Sequence, residues 1–532
     1  MKYSRKSSHL LVLVLFFSAA LFFFRLGERS FRNPDEGRYA EIAREMVVTG
    51  DWIQPKIYGV DYLRKPVLFY WLLAVSFKIF GFNEWAARSV PALFGVFGVL
   101  MTFWFARKNF DEETAFFSCL VLASNFWYLQ VARYLVIDAV FSFFVVSGLY
   151  LFYSAFHAKE RKQLYYLLFY ACVSFSFLAK GILGLVLPGI TLAIYFLKLK
   201  KIRVAIKEME IGWGILIFSI IALPWFLMIS LRNPDFLRLF FLHENLSRFI
   251  SKNFEHQEAW YFYLALLPVV LLPWSLLIRP LRVLVATARE EREWADKKFF
   301  LLAAGLAFIF FFTLSRSKLL TYILPALPFS SILIGKAWHE WVREEITDRG
   351  PSHWAEGLIV IVFIFLGIAG ILVTPAVILR FGQELPEGVG IYFQMMGAAL
   401  LMGGVASLKA WKRRGRHHLF YLLILTVSLL SVPFSFAMEK VNVDYTSKYF
   451  AEYLKPKLKP GDKVFIYDHP GAFYDFGFYL GHPATLVGLE GELEFSRKSP
   501  ENQKAVVTHD QFKKMLADKE KLYCLARKSD FL

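Results

Sequence analysis

The stretch Asn33-Pro34-Asp35-Glu36-Gly37-Arg38-Tyr39 follows the apolar segment His9–Phe24 after only eight residues. That segment is long enough for most of a bilayer crossing. The acids Asp35 and Glu36 are therefore expected near a membrane surface, just outside the hydrocarbon. A further acid, Asp138, stands at the start of another apolar run. Charges at membrane depth are costly, so acids on one face of the membrane indicate a functional site.

The composition does not fit a soluble globular protein. Hydrophobic residues make up 57% of the 532, and the mean hydropathy is +0.44. A crossing needs about 20 apolar residues, and in lipid those residues must form helices. The fold class is therefore mainly α, a polytopic membrane protein with about 13 transmembrane helices. The candidate spans are 9–24, 84–106, 113–130, 139–156, 164–178, 181–197, 212–230, 262–278, 299–314, 319–335, 356–376, 391–408 and 419–437.

The distribution of positive charge predicts the orientation. The net charge is +17, but the basic clusters all fall on the side of the N-terminus if there are thirteen spans. This positive-inside pattern makes that side cytoplasmic and argues against nucleic-acid binding. The first span lacks a cleavage site and is interpreted as a retained anchor. The basic clusters are Arg107-Lys108, Lys159-Arg161-Lys162, Lys198-Lys200-Lys201-Arg203, Lys297-Lys298 and Lys412-Arg413-Arg414-Arg416.

Two parts of the chain are expected from composition. Residues 1–437 form the transmembrane part, with outward loops at 25–83 and 231–261. Residues 438–532 are polar and alternate between strand and helix patterns, with a buried strand at Lys463–Tyr467, so they predict a small extracytoplasmic α/β domain. We expect a multi-pass protein of the cell (inner) membrane with a cytoplasmic N-terminus.

Asp35, Glu36 and Asp138 are the candidate catalytic acids. A carboxylate beside a hydroxyl accepts its proton or orients it. Arg38 lies one helical turn after Asp35, so an ion pair at a helix start is the structural alternative, and Pro34 at the first helical position fits it. Glu36 is more often structural at such a place. Asp138 opens a span, so capping that helix is its alternative role.

Basic residues also collect at the outer ends of spans. Arg and Lys are natural partners of phosphate, and contact with lipid head groups is the alternative for part of the set. Tyr322 follows Lys318 by four residues, and its hydroxyl is expected to join the Lys318 ammonium group on a phosphate. The set predicts an anionic ligand at the outer surface. Its members are Arg38, Arg64, Lys65, Arg133, Lys180, Arg316 and Lys318.

Signals for other chemistry are missing from the sequence. There is no Walker loop, no Rossmann glycine fingerprint and no zinc spacing of His and Cys. The three cysteines, Cys119, Cys172 and Cys524, offer no disulfide framework. Nucleotide-driven chemistry is therefore not expected.

Several segments carry a resemblance to a known family. They are Asp35–Ala43, Tyr62–Pro66 with Tyr70-Trp71, Phe82–Arg88, Arg133–Asp138, Lys180-Gly181 with Leu187–Gly189, Lys318–Pro325 and Val487–Phe495. Together they resemble the membrane glycosyltransferases that use polyprenyl-phosphate sugars. The sequence is most similar to the lipid A aminoarabinose transferase family, GT-C glycosyltransferases related to the protein O-mannosyltransferases.

The resemblance implies an all-helical fold with an outward active site. The implied reaction moves a sugar from undecaprenyl phosphate to lipid A or a related envelope glycolipid. Departure of the lipid phosphate develops negative charge, which cations stabilise. The implied catalytic acids are Asp35 and Asp138, with Glu36 beside them. The implied contacts of the lipid phosphate are Lys65 and Tyr322, with Arg38, Tyr62, Lys318, Arg133, Lys180 and Arg64 nearby.

The sequence departs from the resembled family at its metal site. Where those enzymes carry a metal-binding Glu and His, this chain has Arg64 and Asn245. Neither is a good zinc ligand, although His243 is close by. We expect no bound metal and no other cofactor. Arg64 instead has the chemistry to pair with an anionic group, such as a uronic acid or a phosphate.

Alternative functions follow from the same features. The alternative within the enzyme class is a glycosyltransferase whose acceptor is a protein hydroxyl or a polysaccharide precursor. In another class, the chain is a transporter of lipid-linked sugars. Transporters place charges near the bilayer midplane at interrupted spans, whereas these charges cluster at one face, which favours chemistry.

Overall fold

A computed structural model describes residues 5–200, 202–247, 257–276, 292–344, 354–381, 386–413, 415–468, 470–489, 493, 500–518 and 521–527. Helices dominate the first half. They are Arg5–Phe23, Asp35–Thr49, Leu68–Phe80, Glu84–Asn109, Glu112–Ser124, Phe126–Ala132, Asp138–Phe156, Lys162–Lys180, Leu183–Leu199, Ile202–Glu208, Ile211–Ile221, Leu223–Arg232, the π-helix Arg238–Ser247 and Phe262–Val270.

Helices also form most of the second half up to Val441. The α-helices there are Arg292–Leu314, Ala326–Glu344, Trp354–Phe381, Val389–Lys412 and Arg416–Val441. Short 3-10 turns lie at Trp274–Leu276, Leu320–Ile323, Asn442–Tyr445, Lys455–Lys457 and Pro470–Ala472.

Seven of the described helices are long and apolar enough to cross a membrane, or nine spans result if each of two bent pairs counts as one. A multi-pass membrane fold is therefore confirmed, whereas the finer count of thirteen stays a prediction. The predicted span 181–197 corresponds to the helix Leu183–Leu199, which has the expected 17 residues. The helix in the predicted span 262–278 is shorter than expected and ends at Val270 after nine residues.

The two bends coincide with residues that interrupt helices. Glu112–Ser124 and Phe126–Ala132 meet at 65° around Asn125, whose side chain caps the second helix by accepting a hydrogen bond from Tyr128 N at 2.9 Å. Ile211–Ile221 and Leu223–Arg232 meet at 44°, and a proline lies in the first turn of the second helix. The helix after the first bend, Phe126–Ala132, leads directly into the loop before Asp138.

The predicted outward loop 25–83 contains regular structure. It holds the Asp35 helix (Asp35–Thr49), the antiparallel strands Lys56–Ile57 and Val60–Asp61, and the 13-residue helix Leu68–Phe80. That last helix is too short to cross a bilayer.

A parallel sheet occupies the C-terminal region. Its strand order is Val506–Val507, Thr485–Val487, Lys463–Tyr467 and Leu522–Leu525, and the predicted strand at Lys463–Tyr467 is confirmed. The accompanying helices are Lys448–Leu454, Phe476–Leu480, Pro500–Lys504 and His509–Ala517. Most of the predicted segment Val487–Phe495 lies outside the described residues. That 438–532 forms a separate domain stays a prediction.

The sheet region packs against the loop 25–83. Val464, Ile466 and Phe476 belong to the same buried apolar cluster as Tyr39 and Ile42 of the Asp35 helix. The Tyr58 hydroxyl also donates a hydrogen bond to the Phe473 carbonyl at 2.6 Å. The C-terminal region therefore holds the loop 25–83 in place.

Candidate active site

Asp35 is the first residue of its helix, directly after Pro34. Arg38 Nη2 donates a hydrogen bond to Asp35 Oδ1 at 2.6 Å. The Asp35 side chain is 49% exposed, whereas that of Arg38 is only 8% exposed. The ion pair foreseen as a structural alternative is thus present, and it still leaves half of the Asp35 side chain open to a ligand.

Aromatic rings fix the position of Arg38. Its guanidinium carbon lies 5.4 Å from the ring centroid of Tyr39 and 5.6 Å from that of Tyr62. Tyr62 itself is buried. Cation–π contacts of this kind help to keep a guanidinium group in place. The positive charge of Arg38 therefore has a fixed position beside Asp35, where an anionic ligand can bind it.

Glu36 is fully buried in an ion cluster. Arg88 donates to both of its carboxylate oxygens, at 2.9 and 2.8 Å, and Arg29 donates to one at 3.0 Å. The backbone N–H groups of Arg32 and Leu135 add two more hydrogen bonds at 3.0 Å. Burial would raise the pKa of Glu36, but the two guanidinium groups lower it to about 2.

This environment does not favour the catalytic role that the sequence suggested for Glu36. A carboxylate with no exposed surface cannot touch a substrate, and its oxygens already accept hydrogen bonds from four residues. The cluster instead holds together the Asp35 helix, the helix Glu84–Asn109 that carries Arg88, and the loop before Asp138.

Close packing on the other side of the Asp35 motif explains Gly37. A Cβ on Gly37 would lie 2.2 Å from Asn33 Oδ1 and 2.7 Å from the backbone nitrogen of Asp475. The buried Asp475 carboxylate accepts hydrogen bonds from Asn33 Nδ2 and, at 2.6 Å, from the Thr446 hydroxyl. The C-terminal region therefore braces the residues directly before Asp35.

Asp138 forms the second acid–cation pair. Lys180 Nζ donates a hydrogen bond to Asp138 Oδ1 at 2.7 Å, and both side chains are about nine-tenths buried. Asp138 is the first residue of the helix Asp138–Phe156 and does not cap it, since Ile137 holds the N-cap position. Lys180 Nζ lies 4.8 Å from the ring centroid of Tyr322. The structure thus brings together three of the predicted site residues.

The two pairs are connected through Glu36. Its Oε1 accepts the hydrogen bond from Leu135 N, three residues before Asp138. Burial and the nearby carboxylates of Glu36 and Asp35 raise the pKa of Tyr134, which belongs to the same loop. One buried carboxylate therefore couples the positions of the two candidate catalytic acids.

Arg64 is paired with a residue of the predicted outward loop 231–261. Its Nε donates to Glu244 Oε1 at 2.7 Å, and the Glu244 side chain is buried. Lys65, next in the chain, is half-buried just before the helix Leu68–Phe80. The side chains of His243 and Asn245 lie outside the described residues.

Two other predicted phosphate contacts take different positions. Lys318 is buried and donates to the carbonyls of Ser315, at 2.6 Å, and Glu258, at 3.1 Å. Arg133 donates to the Phe24 carbonyl and lines a cavity with Arg29 and Arg88, behind Glu36. Neither ammonium nor guanidinium group forms an ion pair with Asp35 or Asp138 in the described residues.

Sequence reasoning missed the partners of the motif. Arg88 and Glu244 bind the predicted residues Glu36 and Arg64, and Asp475 binds Asn33 of the motif. Arg88 carried a signal, because an arginine inside an apolar helix requires a buried anion. Asp475 and Glu244 are far along the chain from their partners, so spacing gave no indication of them.

These features define a class of protein: a polytopic membrane enzyme with acid–cation pairs where its helices begin. Residues 8–240 match the model of the family described as dolichyl-phosphate-mannose-protein mannosyltransferase. Among curated proteins, the chain is similar to undecaprenyl phosphate-alpha-4-amino-4-deoxy-L-arabinose arabinosyl transferases. The one from Yersinia enterocolitica is 33% identical over 62% of this chain and 59% of its own length. The one from Pseudomonas aeruginosa is 29% identical over 95% and 89%.

The fold matches a solved structure of the same kind. The crystal structure of ArnT from Cupriavidus metallidurans bound to undecaprenyl phosphate superposes with a TM-score of 0.84 at 25% identity, covering 98% of this chain and 94% of that one. The resemblance inferred from the sequence motifs is therefore confirmed, and with it the class of a membrane glycosyltransferase.

Proposed function

We propose that this chain transfers a sugar from undecaprenyl phosphate to lipid A or a related envelope glycolipid at the outer face of the cell membrane. The observation that carries the proposal is the pairing of each candidate acid with a cation, Asp35 with Arg38 and Asp138 with Lys180. This arrangement belongs to a fold that superposes on an ArnT with bound undecaprenyl phosphate.

The charges fit displacement at the anomeric carbon. An oxygen of the acceptor forms the new bond to that carbon while the bond from carbon to the lipid phosphate breaks. The electron pair leaves with the phosphate, and the acceptor's proton, where it is a hydroxyl, passes to Asp35. Asp35 suits this role because half of its side chain is exposed.

Lys180 and Tyr322 suit the leaving phosphate. An incoming phosphate competes with Asp138 for the Lys180 ammonium group, which lies against the Tyr322 ring. The positive charge is then already in place where negative charge develops. Lys65 and Arg38 are assigned to the same phosphate from the resemblance. We assign Glu36 to positioning, because its contacts join the segments that carry the two acids.

We propose that no metal is held at Arg64. Its guanidinium group is 2.7 Å from Glu244, so a fixed cation already stands beside that carboxylate. A divalent ion there would meet the positive charge of Arg64. The pair links the two outward loops with side chains alone, and titration with zinc is expected to leave transfer by the wild type unchanged.

The orientation follows from the distribution of charge. Basic clusters such as Arg107-Lys108 and Lys297-Lys298 are assigned to the cytoplasmic side, together with the N-terminus. The paired acids and the C-terminal sheet then face outward. Cysteine-labelling from outside intact spheroplasts tests this, and labelling at an Asp444→Cys position is the expected result.

Mass spectrometry of lipid A tests the function. Cells with the wild-type chain are expected to carry a sugar on lipid A that is absent from deletion cells and from cells with Asp35→Asn. Asp444→Asn, which alters an exposed acid outside the site, is the matched control and should restore the sugar. Unaltered lipid A with altered glycoproteins would contradict the proposal and indicate transfer to protein instead.

A further inference from the structure

A small cavity lies behind the Glu36 cluster, outside the two acid–cation pairs. It is enclosed between the chain after the first helix, the end of the helix Phe126–Ala132 and the helix Arg416–Val441. Its volume is about 30 Å³, which is room for about two water-sized groups. The polar lining is formed by Arg25, Arg29, Arg88, Gln130, Arg133 and Ser435.

The cavity carries an excess of positive charge. Arg29 and Arg88 share the single buried carboxylate of Glu36. Arg25 pairs with Glu439 at 2.7 Å at the rim. Arg133 has no carboxylate within ion-pair distance in the described part of the chain. Three guanidinium groups around one buried carboxylate leave two positive charges unmatched by protein.

Two polar groups of the cavity also lack a partner. Arg133 is 8% exposed, and neither its buried Nη1 nor the buried Gln130 Nε2 has a hydrogen-bond partner among the described residues. A buried donor left without an acceptor costs about 1–3 kcal/mol. Both donors belong to side chains that line the cavity, so they indicate a ligand that accepts hydrogen bonds.

The electrostatics of Arg133 agree with this geometry. Burial, followed by the nearby charges of Arg29 and Arg88, lowers its pKa to about 10. The surroundings of the Arg133 guanidinium group thus disfavour its positive charge. An anion placed between these side chains would reverse that penalty, since its charge faces all three.

We propose that Arg133, Gln130 and Arg29 form a second oxyanion site, which takes a phosphate group of a membrane lipid. Arg88 adds charge rather than donors, because its N–H groups already bind Glu36 and backbone carbonyls such as Ser30 O at 2.8 Å. The size of the cavity admits phosphate oxygens and excludes a sugar ring. The site differs from the donor site, whose candidate residues Lys180 and Tyr322 do not line it.

The two sources of such a phosphate are a phospholipid head group and the phosphorylated acceptor. Both place a phosphate at the membrane surface, where the helix Arg416–Val441 meets the loop after the first span. The proposal needs only binding, so it stands or fails independently of sugar transfer.

Thermal unfolding of the full-length protein in detergent tests the site. The midpoint is followed against inorganic phosphate at constant ionic strength, with and without undecaprenyl phosphate to separate binding at the donor site. In the absence of undecaprenyl phosphate, Arg133→Met is expected to raise the inorganic phosphate concentration needed for a given rise in midpoint at least tenfold. Arg133→Lys is expected to reverse part of this increase. Arg232→Met, which alters an exposed arginine paired with Asp51, is the matched control and should respond like the wild type.

Competition distinguishes the sources. If phosphatidylglycerol displaces inorganic phosphate and phosphatidylcholine does not, the ligand is a phospholipid head group. If lipid A displaces it and neither phospholipid does, the ligand is the acceptor. If Arg133→Met does not fold, Gln130→Leu provides the same comparison. The proposal is contradicted if inorganic phosphate raises the midpoint of Arg133→Met as much as that of the wild type. If the midpoint without phosphate is lower but its rise with phosphate is unchanged, Arg133 only supports the fold, which also contradicts the proposal.

Discussion

Asp35 and Glu36 are neighbours in the chain and occupy opposite environments. Asp35 has one side-chain cation and a side chain that is 49% exposed. Glu36 has none of its surface exposed and is held by two arginines and two backbone N–H groups. The difference shows how one motif serves two purposes. The buried acid fixes the chain so that the exposed acid is presented to a ligand.

The largest expected effect separates chemistry from folding at Asp35. Asp35→Asn keeps the size of the side chain and removes its ability to accept a proton. A positioned general base contributes about 10²–10⁴-fold to rate, so kcat for sugar transfer should fall by that factor. The unfolding midpoint should stay near that of the wild type because the carboxylate is half exposed. Asp444→Asn, measured beside it, should change neither quantity.

The same exchange at Glu36 should act on stability. Glu36→Gln leaves the Arg88 and Arg29 guanidinium groups buried beside a neutral amide. Removing one partner of a buried ion cluster costs about 3–5 kcal/mol. Thermal unfolding should show the loss, and transfer by the folded fraction should fall less than in Asp35→Asn, because Glu36 positions the catalytic acids without touching the substrate. A normal midpoint combined with abolished transfer would instead assign catalysis to Glu36.

The pH dependence of stability follows from the same cluster. The folded protein holds the pKa of Glu36 at about 2, below its ordinary value. The unfolded chain therefore takes up the proton first as pH falls, and the stabilisation is lost progressively between about pH 4.5 and pH 2. In Glu36→Gln this part of the decline should be missing. Unfolding midpoints measured from pH 7 to pH 3 for both proteins test whether the wild type loses stability as pH falls and Glu36→Gln lacks this loss.

A smaller effect is expected at Gly37. Gly37→Ala forces a methyl group against Asn33 and the Asp475 backbone, and overpacking of this kind costs about 1–3 kcal/mol. Gly189→Ala is the control, because a Cβ there meets nothing within 4 Å. Thermal unfolding should separate the two variants. Equal midpoints would mean that the C-terminal region does not brace the Asp35 motif.

The sequence predicted the parts of this site that depend on local pattern. Apolar runs ending in charge located Asp35, Asp138 and Lys180, and the strand Lys463–Tyr467 followed from its unbroken apolar run. Spacing cannot show which distant residue completes a buried charge. Arg88, Asp475 and Glu244 therefore emerged only from the structure. Hydropathy likewise did not show that the helix in the predicted span 262–278 ends at Val270.

A structure of the protein with undecaprenyl phosphate, solved in lipid nanodiscs, tests the central claim most directly. The phosphate is predicted to lie within hydrogen-bonding distance of Lys180 and beside Tyr322, with the exposed face of Asp35 turned toward the position of the sugar. A phosphate bound where neither Lys180 nor Tyr322 reaches it, with Asp35 turned to a separate surface, would contradict the account.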